Sequence, residues 1–495
     1  MRPRLSRLLR AAAVLCLPAS GLAAVVSSAG ALAPATTTTP LAPLAGLAAA
    51  FHAGTTPPSG GPVTTGAYRA FSPKSMEVSY NLSALYGAGY EGQGETVAIV
   101  DSFGYPQVAQ NLEVFSKGYG LPLMCGMPTV TCSATMPTFK VLMFGSRQVK
   151  PSPANPTHAN PYGPAQEAST GWVGEVALDT QWVHAIAPEA NILLVVVPTA
   201  ETLGVQGFPN MMNAEQYVVD HHLANVVTQS FGAAEGSFAS AASIMTLRHA
   251  FISGTEAGIS FFAASGDSGS LGTKKSPVGK GGSALSTPSV GWPASDPLVT
   301  AVGGTNLCTT AATGSTTAND AYGPAKCQKY SGQREVAWSG STGGFSSVFP
   351  KPAYQDTLPA GSTPIGSMRG VPDVSWDASC GTFLWVYISI PGITAGYYGI
   401  CGTSAASPEF AAMVALADQY GHENLGLVNP TLYQLASSSK ASTYFFDVTT
   451  GTQFGPGGYS AGTGWDPVTG LGTPNAGNLV PALAAAGSHD TPNVI

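Results

Sequence analysis

Short apolar runs rich in β-branched residues recur along this chain, and stretches with helical periodicity lie between them. The runs are "ETVAIVDSFG" (95–104), "NILLVVVP" (191–198), "NVVTQSFG" (225–232), "ISFFAASG" (259–266) and "LVTAVGGT" (298–305). The intervening segments "GEVALDTQWVHAI", "NAEQYVVDHHLA" and "SAASIMTLRHAFISGTEAG" repeat their apolar residues at helical spacing. A strand that is apolar on every residue must be covered on both faces, and helical crossovers supply that cover. The pattern therefore predicts an α/β fold with a largely parallel central sheet and helices on both faces. Ligand sites in such sheets form beyond the carboxyl ends of the strands. The Gly- and Ser-rich stretches 268–290 and 309–346 read as loops, and no internal repeat is present.

Composition narrows the function classes. The 495 residues are 44% hydrophobic, enough for a sizeable core, but only 9% are charged, against about 25% in a typical soluble protein. The net charge is −7 and no basic patch interrupts it, so nucleic acid is not an expected partner. A surface with few ionisable groups resists acid, because protonating its carboxylates leaves little positive charge to repel itself. The start "MRPRLSRLLR" is basic and "AAAVLCLPASGLAAVV" is apolar, the layout of a secretory signal over residues 1–33. Pro18 and Gly21 interrupt the run, and no later segment has the roughly 20 unbroken apolar residues of a spanning helix. A secreted, extracellular protein without stable membrane association is expected. Residues 34–66, rich in Ala, Thr, Pro and Gly, read as a flexible segment. The folded domain is expected over 67–487, with a short tail at 488–495. Cys16 leaves with the signal. The remaining six cysteines fall in sequence-close pairs, Cys125 with Cys132, Cys308 with Cys327, and Cys380 with Cys401. This pairing is one of fifteen possible connectivities.

Chemistry enters at "YYGICGTSAASPEFAAMVALADQYG" (397–421), which places Ser404 at the mouth of a helix. The unpaired N–H groups and the helix dipole there favour a developing negative charge. A serine nucleophile needs a base. Asp101, at the end of the first apolar run, suits the acid of a Ser-His-Asp triad. None of the eight histidines, however, begins a helix in a Gly-rich context. His221 and His222 fall in a helical pattern and His184 follows an apolar turn, so each reads as a surface or packing residue. Carboxylates answer better. Glu175 and Asp179 are four apart, hence on one helical face, among Val173, Val176, Ala177 and Leu178. Burial and like charge raise the pKa of such a pair, so Glu175 can accept the Ser404 proton while Asp179 holds a shared one. Asp267, in the turn of "FFAASGDSGS", can donate to an oxyanion only as the neutral acid.

These segments resemble the sedolisins, the serine-carboxyl peptidases. "GQGETVAIVDSFGYP", "GEVALDTQWVHAIAPEANI", "QSFG", "AASGDSG", "WPASDPLVTAVGGTNL", "GGFSSVFPKPAYQ", "RGVPDVSWDAS" and "GTSAASP" follow in that family's order across residues 70–487. The resemblance implies a subtilisin-like fold and an acid-acting serine-type endopeptidase. Ser404 is then the nucleophile, Glu175 the base, Asp179 its partner and Asp267 the oxyanion carboxyl, with protein or peptide substrates and a monomeric chain. "FFDVTTG" and "AGTGWDPVTGLGTPN" resemble the family's calcium site. One Ca²⁺ is implied, held by Asp447 and Asp466 and by backbone carbonyls of Val448, Gly462 and Gly464. Hard oxygen ligands on glycine-rich loops suit that ion. Two departures stand out. Residues 34–66 are all that separates the signal from the catalytic part, where sedolisins usually carry a long folded propeptide. Cys401 stands where the family commonly has serine, and a bridge to Cys380 would tie down the nucleophile loop. The alternative is a secreted binding protein that keeps the fold without turnover; a histidine-based protease comes third. A peptidase assay at pH 3–5 separates the first two.

Overall fold

The computed structural model describes residues 51–58, 63–65, 68–144, 152–153, 171–199, 205–271, 273–274, 283–285, 287–308 and 334–487. The expected signal and the 488–495 tail lie outside the described residues.

The apolar runs form the expected strands: Thr96–Ser102, Asn191–Val197, Val226–Gln229, Ser260–Ala264 and Thr300–Leu307. Phe139–Met143 and Val374–Asp377 join them, and all seven pair in parallel. Antiparallel pairings occur only at the margins, Glu335–Ala337 on Thr300–Leu307 and Ser152–Pro153 on Phe139–Met143. Strand order reverses around Thr96–Ser102, which lies between Val226–Gln229 and Asn191–Val197. The chain first steps out to Phe139–Met143, fills the place between with Asn191–Val197, then crosses to the opposite side. Such a switch point leaves a crevice at the carboxyl ends of the two central strands.

Helices cover both faces, and two adjacent phenylalanines demonstrate it. Successive side chains of a strand point to opposite faces. Phe261 meets Phe251 of the His249–Glu256 helix, while Phe262 meets Phe410 of the Thr403–Gly421 helix. The Phe208–Asp220 helix packs on the first of these helices; the Trp172–Ile186 helix packs on the second. All fifteen residues of Trp172–Ile186 are buried, polar ones included. It is therefore a central helix enclosed all round rather than a half-wet amphipathic one.

Two helix expectations need correction, and residues 51–58 and 63–65 of the segment read as flexible are described. Phe51–His52 pairs with Tyr398 and Gly399, and Val63–Thr65 with Tyr68–Ala70, in a second sheet. Backbone pairing to an edge strand orders a sequence with little hydrophobic pattern of its own. The helical pattern across "NAEQYVVDHHLA" ends at Asp220, so His221 and His222 lie beyond the helix, and His222 takes a left-handed φ of 50°. The pattern across 240–258 breaks into two helices, Ala241–Met245 and His249–Glu256.

Two of the expected bridges are present, Cys125–Cys132 and Cys380–Cys401. Cys308 is disulfide-bonded, and Cys327 lies outside the described residues.

Candidate active site

Ser404 is the second residue of the Thr403–Gly421 helix and is 4% exposed. The chain reaches it from the strand Gly396–Ile400 through Cys401 and Gly402. Gly402 has a φ of 127°, a conformation L side chains rarely adopt, and a Cβ there would come 2.8 Å from Asp267 Oδ2. Glycine is thus required by both the backbone and the close approach of a carboxyl. The Gly402 N–H donates to the Ala378 carbonyl at 2.7 Å, and the Cys380–Cys401 bridge holds the same two segments together.

Asp267 follows the strand Ser260–Ala264 by three residues and sits on this helix start. Its Oδ1 accepts from the Thr403 N–H at 2.7 Å and from the Thr403 hydroxyl at 2.9 Å. The carboxyl is thus hydrogen-bonded to the residue that precedes the serine.

On the facing helix, Glu175 and Asp179 are 2% and 0% exposed. The pKa of Asp179 is raised well above the usual carboxylate range. Burial is the main cause, followed by the charges of Asp101 and Glu175, and Ser230 eases it. The two acids are therefore neighbours, as their spacing predicts. Asp101, considered above only as the acid of a histidine triad, belongs to the same cluster. Ser230 connects the halves of the site. It follows the last residue of the Val226–Gln229 strand, stands beside Asp179, and donates from its hydroxyl to the Ser404 carbonyl at 3.2 Å. Neither role of Ser230 has a signal in sequence beyond its place at a strand end. Asp101 had that signal too, but no pattern joined it to Asp179.

Among the described residues no histidine hydrogen-bonds to Ser404. His184 is buried within the Trp172–Ile186 helix, its ring Nε2 lies 2.9 Å from the Pro122 carbonyl, and burial lowers its pKa to about 4. It packs rather than titrates at neutral pH.

The five residues expected to hold calcium come together on one loop. Asp447 Oδ2 accepts from the Gly464 N–H at 3.0 Å, and Asp466 Oδ2 from the Gly462 N–H at 3.2 Å. Thr469 bridges Asp466 and the Val448 carbonyl through its hydroxyl. Burial raises both carboxylates, Asp466 to about 7. Asp447 Oδ1 is buried without a hydrogen-bond partner. A buried carboxylate oxygen left unpaired is costly, and a cation would satisfy it, so these residues fit the ion. No cluster of three or more His, Cys, Asp or Glu side chains suited to a metal occurs among the described residues. Backbone oxygens would have to complete the shell.

A largely parallel sheet with helices on both faces and a switch-point crevice is a subtilisin-like fold. Residues 92–457 match the Subtilase family. Kumamolisin of Bacillus sp. (strain MN-32) is 31% identical over 86% of this chain and 65% of its own length. Sedolisin of Pseudomonas sp. (strain 101) is 28% identical over 83% of this chain and 61% of its own. The chain thus spans less than two thirds of either relative. The structure of Pseudomonas sedolisin complexed with pseudo-iodotyrostatin superposes with a TM-score of 0.63 at 26% identity, covering 85% of this chain and 99% of that one. The chain belongs to the subtilase family, in its sedolisin group.

Proposed function

We propose that this protein is a secreted, acid-acting serine-carboxyl peptidase. The Ser404 oxygen attacks the scissile carbonyl carbon, and its proton passes to Glu175. Asp179, held neutral by burial beside Asp101, donates to Glu175 and keeps it in place. The tetrahedral oxyanion accepts a hydrogen bond from neutral Asp267. Glu175 returns the proton to the leaving amine as the C–N bond breaks, which leaves an ester on Ser404. Water then gives a proton to Glu175 and attacks the ester, and the proton returns to Ser404 as the acid product departs. Glu175 must be ionised and Asp267 neutral, so only acid permits both. The observation that carries this reading is the seat of Asp267, bonded to the residue before the serine. Kumamolisin and sedolisin support it as relatives.

Ca²⁺ would be held by Asp447, Asp466 and the Val448, Gly462 and Gly464 carbonyls, where it would neutralise one buried and one half-buried carboxylate and fasten the loop. The basic and apolar start of the chain supports export. No helix among the described residues is long and apolar enough to cross a membrane.

The test is hydrolysis of a denatured protein by the purified chain from pH 2 to 8, with Ser404→Ala as control. A bell-shaped profile peaking between about pH 3 and 5, lost in the variant, is expected. A peak at neutral pH overturns the carboxylate mechanism, and no hydrolysis at any pH overturns peptidase function.

A further inference from the structure

Thr403 makes three polar contacts at the start of the nucleophile helix. The Gly266 N–H donates to its hydroxyl oxygen at 3.0 Å. A backbone N–H can only donate, so this contact leaves the single hydroxyl proton of Thr403 to go elsewhere. It goes to Asp267 Oδ1 at 2.9 Å, where the Thr403 N–H also arrives at 2.7 Å. One oxygen of Asp267 therefore receives two donors from the same residue.

We infer that Thr403 is a positioning residue that decides which oxygen of Asp267 carries the acid proton. The oxygen that accepts two hydrogen bonds is the carbonyl-type one, so neutral Asp267 keeps C=O at Oδ1 and O–H at Oδ2. Oδ2 is also the oxygen turned towards Gly402, the residue that leads into Thr403 and Ser404. Without the hydroxyl, the carboxyl can turn about its last bond and present the wrong oxygen to the reacting carbonyl. Gly266, Ser268, Thr342, Gly402 and Thr403 surround this turn and carry no ionisable side chain. Among the described residues, Glu175, Asp179 and Asp101 form the ionisable cluster across the site. The inference rests on the oxyanion role proposed for Asp267.

Two substitutions separate this role from packing, because they remove opposite parts of Thr403. Its methyl group faces Gly304, at 3.3 Å from where a Cβ on that glycine would lie. Thr403→Val keeps the methyl and loses the hydroxyl; Thr403→Ser does the reverse. A proton-positioning hydroxyl makes valine the damaging change and serine the harmless one. Thr403→Val should lower kcat about 10- to 100-fold, less than the roughly 100- to 1000-fold of a lost oxyanion donor, with KM little changed. A donor to a carboxyl favours its ionised form, so losing it should move the alkaline limb of kcat to higher pH. Thr403→Ser should restore both rate and limb.

Melting curves of both variants establish that each is folded at the assay pH. If serine is the damaging change, or valine leaves rate and limb as in the parent, Thr403 serves packing and the inference is overturned. A valine variant that does not fold while serine behaves as the parent leaves the kcat limb to Thr403→Ala, where the same upward shift is required. Should the parent itself show no acid hydrolysis that Ser404→Ala removes, the proposed function falls first and this inference with it.

Discussion

At the scale of single residues, the proposed mechanism requires two carboxyls in opposite protonation states. Asp267 donates only when neutral, whereas an amide donates at any pH. Asp267→Asn should therefore move the alkaline limb of the rate profile upward, with the amide oxygen accepting the two Thr403 donors that Oδ1 accepts now. An unchanged limb in stopped-time assays from pH 3 to 8 would assign it to another group. Ser230 offers a second test. Its hydroxyl bonds the Ser404 carbonyl and adjoins Asp179, so Ser230→Ala should lower kcat more than it lowers the melting temperature. Equal loss in both would make Ser230 a packing residue. The Glu175/Asp179 pair was legible from its four-residue spacing. Asp101 and Ser230 were not, because strands separated by more than a hundred residues bring them together.

At the scale of elements, Ser404 enters its helix through a segment fixed by Cys380–Cys401, which are 21 residues apart. Replacing both cysteines by serine should cost roughly 3 kcal/mol on the chain-entropy estimate for a loop of this size. Denaturant unfolding of the double variant measures it, and a loss below about 1 kcal/mol would mean the surrounding strands already fix the loop. The loop proposed to hold calcium makes a separate prediction. Buried Asp466 and half-buried Asp447 meet around Gly462–Gly464, so excess chelator should lower the melting temperature by the mass-action loss of a bound ligand. Asp447→Asn should abolish that response. A chelator-insensitive transition would mean the loop is held by its own hydrogen bonds. The element boundaries least legible in sequence were the helix end at Asp220 and the Phe51–His52 strand. A helix end follows from its cap, and an edge strand from a partner distant in sequence.

At the scale of the whole molecule, buried acids set the response to pH. Asp179, Glu215, Asp377, Glu409 and Asp418 are all raised well above their ordinary values, in each case chiefly by burial. The native state then binds protons that the unfolded chain has already released. Stability is fully present below the unfolded values near 4 and is lost as pH rises through the folded ones. Each such group costs about 1.4 kcal/mol per pH unit in that range. The melting temperature of the Ser404→Ala variant, at fixed calcium, should therefore be highest near pH 4 and fall towards pH 8. Glu409→Gln should raise it at pH 7 and leave it nearly unchanged at pH 4. A protein most stable at neutral pH would show that these acids find partners or water on ionising.

The sequence by itself determined the parallel sheet, since only strands covered on both faces can be apolar throughout. It also determined the serine at a helix mouth and the carboxyl pair, because both are local patterns read within one or two turns of helix. Tertiary structure alone decided what those groups meet. Asp101 joins Asp179 because their strand and helix pack together, Ser230 reaches Ser404 across the switch point, and Asp267 seats on Thr403 because glycine at 402 lets it approach. Hydrogen bonds and like-charge contacts act over a few ångströms, and only the folded chain brings residues so far apart in sequence within that range.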